Sequence, residues 1–440
     1  MGYREKCVRA GLLSLGVAAL AWSVTTQHAV SAAGQAGDAR DQARRDRFTP
    51  ATAVDEEAPP PALRTAAAAP VEALAAFDNL TNGFTTQAVF DANRETFEEV
   101  EVIADGLGPT YNAQSCRECH QNVVTGGASQ ITEQRTGHLT GGRFFDSQGG
   151  SLIASRATHP DAMELVAVGD NIRTFRISTN VLGAGLVEAV ANSTLTAVRD
   201  AQPFAMRGLA VTVPILERPG QTRIGRFGWK SQHASLQSFA ADAYLNEMGV
   251  TSPLLPVENT TSGHDIAQYD TVADPEDDGE DVVKFADFMR ATKAPPRGEI
   301  TAAVRSGEQV FNGIGCGTCH TPTLVTSAPG TIINGGALTV PAALGNKTIH
   351  PYSDYLLHDI GTSDGIPIQP TDEFEPTASR MRTAPLWGLR TRNRLMHDGL
   401  TFTREEAILR HAGQATAVTS RYRNLSATSK SDLVAFLNSL

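Results

Sequence analysis

Two copies of one pattern, Cys116-Arg-Glu-Cys119-His120 and Cys316-Gly-Thr-Cys319-His320, contain four of the five cysteines in this 440-residue chain. In a helical turn, residues i and i+3 share a face, so two thiols can bond to the two vinyl groups of one porphyrin. The histidine that follows presents a ring nitrogen to the iron. The pattern therefore predicts two covalently bound haem c groups. The predicted attachment sites are Cys116, Cys119, Cys316 and Cys319, and the predicted iron ligands are His120 and His320.

Two other kinds of site also use C-x-x-C. A Cys₄ zinc site would accept both halves, but zinc chemistry does not require a histidine directly after each pair. A thioredoxin-like dithiol normally lies in a βαβ setting, which the sequence shows around neither motif. Haem attachment accounts for both histidines, and the interpretation below follows it.

The sequence before the motifs is repeated as well. Tyr111-Asn112 precedes the first motif at the spacing at which Phe311-Asn312 precedes the second, with an offset of 200 residues. The duplication predicts a mainly α fold with two cytochrome-c-like haem domains and a small β-containing insertion between them. Apolar periodicity predicts helices over 186–199 and 300–311, and a C-terminal helix capped near Ser429-Lys-Ser-Asp432.

The chain divides into five predicted segments. Basic residues precede a short apolar run, Gly11–Val24, and small residues follow it, as in a secretory signal peptide. The run is too short to span a bilayer, so we expect an exported, periplasmic protein with no membrane span. The segments are a signal peptide (1–32), an exposed Pro/Ala-rich leader (33–76), the N-terminal haem domain (77–200), the insertion (201–298) and the C-terminal haem domain (299–440).

Composition and charge narrow the function further. Lys+Arg 37 against Asp+Glu 48 gives a net charge of −11, which disfavours nucleic-acid binding.

The sequence of the insertion predicts a strand–turn–strand around Glu217–Gly220 and then a helix over 235–248. An acidic loop over 274–281 could hold Ca²⁺, but its spacing departs from the EF-hand, and a solvated loop is the other interpretation.

The second haem has a candidate for its other axial ligand. Thr403-x-x-Glu406 is a capping box, and the helix that it opens carries His411 on the face of its apolar residues. We therefore predict His411 as the second ligand. Met396 and His397 are the alternatives, and a thioether would raise the haem potential relative to an imidazole.

The first haem has no evident second ligand. An open position would admit a small oxidant, and cleavage of an O–O bond also needs an acid–base group. We predict Glu188, in Gly183-Ala-Gly-Leu-Val-Glu188, as that group. The histidines not used elsewhere are expected to be surface or structural groups: His138, His159, His233 and His264.

Several stretches together resemble one family. The chain is similar, over about residues 77–440, to the di-haem oxidoreductases, relatives of bacterial di-haem cytochrome c peroxidases and of the di-haem enzyme that matures methylamine dehydrogenase. The stretches are Gly106-Leu-Gly-Pro-Thr-Tyr-Asn-Ala-Gln-Ser-Cys116, Phe227-Gly-Trp-Lys230, Asn246-Glu-Met-Gly249, Tyr352-Ser-Asp-Tyr-Leu-Leu-His-Asp-Ile-Gly361, Arg382-Thr-Ala-Pro-Leu-Trp-Gly388 and Leu395-Met-His-Asp-Gly399.

The resemblance implies a division of labour. The C-terminal haem, with two protein ligands, takes up an electron and passes it to the N-terminal haem, which meets H₂O₂ or another small oxidant. His411 stands where those relatives have Met or Tyr. His358 and His397 are implied to hold propionates or nearby backbone, and Trp229 or Trp387 could relay electrons. The implied partners are a small-molecule oxidant and a small redox protein as electron donor.

Two further functions are compatible with the same motifs. The chain could be a non-catalytic electron-transfer protein with both haems six-coordinate, and such haems would not bind small ligands. It could also be an oxygenase acting on an organic substrate, which product analysis with O₂ against H₂O₂ would identify. The peroxidase-like enzyme is the interpretation that we prefer.

Overall fold

The computed structural model describes residues 56, 69–147, 149–260, 263, 265–369 and 374–440. The predicted signal peptide, most of the leader and His264 lie outside these residues. The domain boundaries stay predictions.

Helices and short strands alternate along the described chain. The α-helices are α1 (Gln87–Glu98), α2 (Cys116–Cys119), α3 (Ala184–Glu188), α4 (Asn192–Ala201), α5 (Leu236–Ala243), α6 (Glu280–Ala291), α7 (Ala302–Ile314), α8 (Arg404–Leu409), α9 (Thr416–Arg423) and α10 (Ala427–Leu437). The strands are β1 (Val71–Glu72), β2 (Thr110–Tyr111), β3 (Thr132–Thr140), β4 (Arg143–Phe145), β5 (Leu152–Ile153), β6 (Arg156–Ala157), β7 (Ile172–Ile177), β8 (Thr212–Pro214), β9 (Thr222–Ile224), β10 (Leu324–Val325), β11 (Ile332–Ile333), β12 (Leu338–Thr339), β13 (Lys347–Ile349), β14 (Leu357–His358) and β15 (Met381–Arg382).

The helices beside the first motif pack through aromatic side chains. Phe97 of α1 lies 4.7 Å from Phe288 and 6.1 Å from Phe285 of α6, measured between ring centroids. The same Phe97 ring lies 6.2 Å from the ring of His120. The core of α1 and α6 therefore forms one wall behind the first motif.

A four-stranded antiparallel sheet follows the first motif, where the sequence predicted a mostly helical domain. Strand β3 pairs with β7 on one side and with β4 and β5 on the other. The mainly α prediction therefore holds for the helices around the motifs and misses this sheet. Strand β3 has the sequence TEQRTGHLT. Nearly all of its residues are polar, so the alternation of apolar and polar residues that predicts a strand is missing.

The second motif lies beside a close pair of helices. Gly307 of α7 faces α10 so closely that a Cβ there would lie 1.9 Å from the carbonyl oxygen of Asp432. Phe311 and Phe436 pack across the contact with ring centroids 5.1 Å apart. Helix α10 begins three residues earlier than predicted, because Ser426, and not Ser429, is its N-cap.

Other local predictions have mixed outcomes. The strand–turn–strand of the insertion is present as β8 and β9, and α5 continues as a π-helical turn over Tyr244–Met248. The single helix predicted over 186–199 is two helices, α3 and α4. The predicted capping box of Thr403 and Glu406 is present at α8. None of the helices in the described ranges combines the length and the apolar character needed to cross a bilayer.

The leader is not exposed at every described position. The Glu56 carboxylate accepts hydrogen bonds from the backbone N–H of Asn192, at the start of α4, and from the Arg223 guanidinium at 2.8 Å. Its side chain is only 9% exposed and that of Arg223 only 1%. Strand β1 pairs in parallel with β13. The expectation of an exposed leader is therefore wrong at Glu56, whereas both residues of β1 are exposed.

Candidate haem-binding cavities

Two cavities of nearly equal size each have one C-x-x-C-H motif in the wall. Cavity one, of about 1290 Å³ including its opening, is lined by Cys116, Cys119 and His120. Cavity two, of about 1280 Å³, is lined by the corresponding residues of the second motif. The two motifs line different cavities, so their cysteines do not come together in a single Cys₄ site.

Each motif forms one tight turn. Ser115 caps α2 by accepting a hydrogen bond from the Glu118 N–H, and the second motif forms a 3₁₀ turn over Cys316–Thr318. In both, the histidine N–H donates to the carbonyl of the first cysteine, at 3.1 and 3.0 Å. Burial raises the pKa of all four thiols, to about 12 for Cys119 and Cys316, so they are protonated at neutral pH.

In cavity two, His411 faces His320. Their ring centroids are 6.4 Å apart. An iron held between two imidazoles by bonds of about 2.0 Å, with about 1.1 Å from each nitrogen to its ring centre, requires a spacing of about 6.2 Å. The geometry of the donor set therefore fits a six-coordinate haem iron.

Hydrogen bonds leave the same nitrogen free on both rings. His320 Nδ1 lies 3.0 Å from the Tyr352 carbonyl oxygen and His411 Nδ1 lies 2.6 Å from that of Ala407. A carbonyl only accepts, so each Nδ1 carries the proton and each Nε2 keeps its lone pair. Burial lowers the pKa of His320 to about 4 and also lowers that of His411, so both rings are neutral at pH 7.

The alternative ligands and His358 also line cavity two. Met396 and His397 belong to its wall, and the His397 ring meets the Trp229 ring edge-on at 6.2 Å. His358 Nε2 lies 2.8 Å from Asp354 Oδ2, and its Nδ1 lies 3.6 Å from the Cys319 sulfur. His358 is thus held beside the predicted attachment site.

Cavity one contains a carboxyl pair that the sequence analysis did not select. Glu133, from β3, and Glu247, from the turn after α5, both line this cavity. Arg135 Nε donates to Glu133 Oε1 at 2.7 Å, and Asn112 Nδ2 donates to Glu247 Oε2 at 3.1 Å. Asn246-Glu-Met-Gly249 is one of the stretches that resemble the family. Its local sequence does not indicate that Glu247 lies near the distant strand β3.

The two carboxyls have opposite pKa shifts. Burial and the negative charge of Glu133 raise the pKa of Glu247 well above its usual value. Burial opposes ionisation of Glu133 too, but the charge of Arg135 and the hydrogen bond from Glu247 outweigh it and lower that pKa. The opposite shifts favour a pair that holds one proton, on Glu247, beside a carboxylate that can accept one.

Among the described residues that line cavity one, His120 is the only histidine. Burial lowers its pKa to about 4. His159 stacks on Tyr269 at the surface, and His233 lies 3.0 Å from Asp242. Neither histidine is among the residues that line cavity one. His138 contacts the Gly169 carbonyl.

Glu188 lines neither cavity. It is fully buried, and its two carboxylate oxygens accept hydrogen bonds from Arg290, the nearer at 2.8 Å, and from the Asn334 amide and the Leu236 N–H. Burial raises its pKa, but the charge of Arg290 outweighs burial and lowers it. This placement corrects the predicted acid–base role, because the carboxylate is enclosed in an ion pair away from cavity one.

Trp229 lines both cavities, and Trp387 lines neither. Trp229 is buried, and its Nε1–H donates to the Ile177 carbonyl at 2.7 Å. Of the two tryptophans that could relay electrons, the structure therefore places only Trp229 in contact with both spaces.

Part of the acidic loop converges with residues outside it. Ligand oxygens of four carboxylates lie within 4.8 Å of one another. They belong to Glu258, Asp270, Asp274 and Glu276. Burial raises the pKa of Glu258 to about 9, with help from its acidic neighbours. Calcium binding stays a prediction.

Comparison with known proteins gives a family match. A family model described as "Di-haem oxidoreductase, putative peroxidase" matches residues 144–440, which include the second motif and begin after the first. A comparison with curated proteins finds no match.

Three solved structures are distantly similar. A MauG-like protein associated with microbial copper homeostasis is 15% identical, with 86% of this chain and 94% of that chain covered and a TM-score of 0.38. Hydrazine synthase of Kuenenia stuttgartiensis is 14% identical, with 86% and 97% covered and a TM-score of 0.38. The diheme peroxidase BthA of Burkholderia thailandensis E264 is 13% identical, with 89% and 95% covered and a TM-score of 0.39.

Proposed function

The chain belongs to the di-haem oxidoreductase family, and we propose that it is an exported enzyme with two haem c groups that reduces H₂O₂ or another small oxidant in cavity one. The electrons enter through cavity two from a small redox protein. Haem supplies a reversible Fe(III)/Fe(II) couple and, where a coordination position is open, a place for the oxidant to bind.

The difference between the cavities carries this proposal. In cavity two, His411 faces His320 at the spacing that an iron with two imidazole ligands requires. In cavity one, His120 has no second histidine among the described lining residues, and the cavity holds the Glu133–Glu247 pair instead. The first arrangement suits electron storage, and the second suits binding and protonation of a small molecule.

The carboxyl pair can donate and accept the protons that the reaction requires. Reduction of H₂O₂ to two waters consumes two electrons and two protons, and the O–O bond breaks. Glu247, whose pKa is raised, can donate a proton to the departing oxygen, and Glu133, whose pKa is lowered, can accept one from the peroxide. Arg135 and Asn112 hold the two carboxyls in place.

The Trp229 side chain, which lines both cavities, can relay electrons between them. Trp229 touches both spaces, and its indole is fixed by the bond to Ile177 and by packing against Met381. A fixed aromatic ring shortens the tunnelling steps between two redox groups. Trp229 is therefore the proposed relay.

Export follows from the segment before the described residues. A basic start, a short apolar run and small residues are typical of a signal peptide, and we propose a periplasmic location. Mass spectrometry of protein from the periplasmic fraction should find a mature chain that lacks residues 1–32 and carries two porphyrins.

The holoprotein tests the proposal directly. A pyridine haemochrome assay should count two haems, and EPR should show one high-spin and one low-spin iron. Cyanide should bind one haem only, and the half-reduced protein should consume H₂O₂. A Cys116→Ala/Cys119→Ala variant should lose the cyanide-binding haem, while Cys316→Ala/Cys319→Ala, the matched control, should lose the low-spin haem.

The electron-transfer protein remains the second candidate function, because thioethers of Met248 and Met289 line cavity one. If one of them binds the iron, both haems are low-spin, cyanide does not bind, and H₂O₂ is not consumed. That set of results would replace the enzyme with a carrier.

A further inference from the structure

Three arginines in the wall of cavity two have no acidic partner in the part of the chain that the structure describes. Arg382, Arg392 and Arg404 line the cavity, and Arg382 and Arg392 are only 5% and 9% exposed. Within the described residues, no carboxylate lies at ion-pair distance from any of the three guanidinium groups. Buried charges without a counter-ion are unfavourable, so proteins seldom keep them without a ligand.

Backbone carbonyls satisfy only part of these side chains. Arg382 Nε donates to the Gly228 carbonyl at 2.6 Å, and Arg404 donates to the carbonyls of Arg392 and Leu389 at 3.2 and 2.8 Å. Arg404 Nε is buried and has no partner among the described residues. The structure gives the Arg392 side chain no hydrogen bond within those residues. Several N–H donors are therefore available to an acceptor in the cavity.

The three positive charges also act on one another. Burial, and then the charge of Arg392, lowers the pKa of Arg382 to about 10, against the opposing effect of Tyr355. Burial, and then the charge of Arg404, lowers the pKa of Arg392 to about 10. No carboxylate contributes to either shift. Among the described residues, the cluster therefore has no negative charge beside it.

Several other buried arginines of the same chain pair with a carboxylate. Arg176 lies 2.7 Å from Asp364 and Arg290 lies 2.8 Å from Glu188. In cavity one, Arg135 lies 2.7 Å from Glu133. Arg226, buried outside cavity two, also has no ion-pair partner among the described residues, but each of its guanidinium nitrogens donates to a carbonyl oxygen. What distinguishes cavity two is therefore the combination of missing counter-ions with N–H donors that have no acceptor among the described residues.

We propose that Arg382, Arg392 and Arg404 bind the two propionate carboxylates of the porphyrin in cavity two. The inference rests on the proposed function, since it requires a haem there. A guanidinium donates two parallel hydrogen bonds to a carboxylate, and two propionates supply the negative charge that the cluster lacks.

The three arginines also affect the balance of potentials between the two haems. Three cations against two propionates leave cavity two positively charged, which stabilises the reduced iron. Cavity one offers no such surplus, because Arg135 and Arg176 are already paired. The arginines therefore raise the potential of the haem in cavity two and offset part of the lowering caused by a second imidazole.

Redox titration of the holoprotein tests this assignment. Arg392→Gln should lower the midpoint potential of the low-spin haem and leave that of the high-spin haem unchanged, and Arg392→Lys should restore most of the loss. Arg297→Gln is the matched control, because Arg297 pairs with Glu308 and does not line cavity two. Resonance Raman propionate modes should shift in Arg392→Gln and not in the control.

The outcomes separate this inference from the proposed function. If Arg392→Gln and Arg404→Gln both keep the wild-type potential and Raman modes, the arginines do not bind propionate, although the di-haem enzyme stands. If the wild-type potential changes with phosphate concentration at constant ionic strength, the cluster binds a free anion instead. If no haem is attached in cavity two, both proposals fail.

Discussion

The rings of His320 and His411 lie 6.4 Å apart, and each has its Nδ1 hydrogen-bonded to a backbone carbonyl. The two imidazoles come from opposite ends of the C-terminal segment, yet they present the same ring nitrogen to one space. A pair of neutral, oriented imidazoles is what a low-spin iron with two axial ligands requires.

His411→Ala should convert one haem from low-spin to high-spin without loss of covalent porphyrin. The substitution removes an axial ligand but leaves the attachment at Cys316 and Cys319. EPR and optical spectra measure the spin state, and the haemochrome assay counts the porphyrins. His397→Ala is the control and should keep the low-spin spectrum. An unchanged spectrum in His411→Ala would transfer the role to Met396.

Glu247→Gln should reduce peroxide turnover by about 100-fold or more, which is the usual size of a lost acid–base step. The amide keeps the shape and the bond from Asn112 but cannot release a proton. Steady-state H₂O₂ consumption measures the loss, with both spin states checked by EPR. Glu118→Gln, outside cavity one, is the control. Wild-type turnover in Glu247→Gln would contradict the proton-donor role.

The Glu133–Glu247 pair should also make turnover depend on pH. Burial and the charge of Glu133 raise the pKa of Glu247, so turnover should fall as the pH rises through that raised pKa. The native state binds this proton more tightly than the unfolded state, so the contribution of Glu247 to stability also falls from its unfolded pKa upward. Glu247→Gln should lack this decrease, which denaturant titrations at several pH values measure.

Glu188→Gln should destabilise the fold by about 3–5 kcal/mol, because it leaves the buried Arg290 charge without its partner. Urea denaturation measures the change. Peroxide turnover per folded molecule should stay at the wild-type level, since Glu188 does not line cavity one. A loss of turnover with unchanged stability would restore the catalytic role expected from the sequence.

Trp229→Phe should slow electron equilibration between the two haems, because the indole in contact with both cavities is replaced by a smaller ring. Flash photolysis of the half-reduced, CO-bound protein measures the rate. Trp387→Phe should leave it unchanged, since Trp387 lines neither cavity. Equal rates in both variants and the wild type would exclude the relay.

Glu56→Gln should destabilise the protein by about 3–5 kcal/mol through the loss of charge opposite the buried Arg223. Arg226 is buried close to Arg223, and that positive charge adds to the penalty. Asp200→Asn, which breaks an exposed pair with Arg199, is the control and should change stability little. If the Glu56–Arg223 pair does not stabilise the fold, Glu56→Gln should be as stable as the wild type.

The haem motifs and their surroundings could be predicted because they are local. The spacing of Cys316, Cys319 and His320 places three groups on one turn whatever the rest of the chain does. The capping box correctly predicts where α8 begins, but α8 ends at Leu409, so His411 follows the helix and does not lie on one of its faces. Its role as an iron ligand stays a prediction. Such arguments need only a few consecutive residues.

The carboxyl pair of cavity one and the role of Glu188 depend on contacts between distant segments. Glu133 lies on a strand with no apolar alternation, and it meets Glu247 only because β3 pairs with β7 and turns that face toward α5. Glu188 has an unremarkable local sequence, and its role depends on Arg290, which α6 brings to it. The residue types and the metal-binding spacing come from the chain itself, whereas burial and charge compensation depend on which segments pack together, since a side chain acquires its dielectric surroundings and its partners only in the folded state.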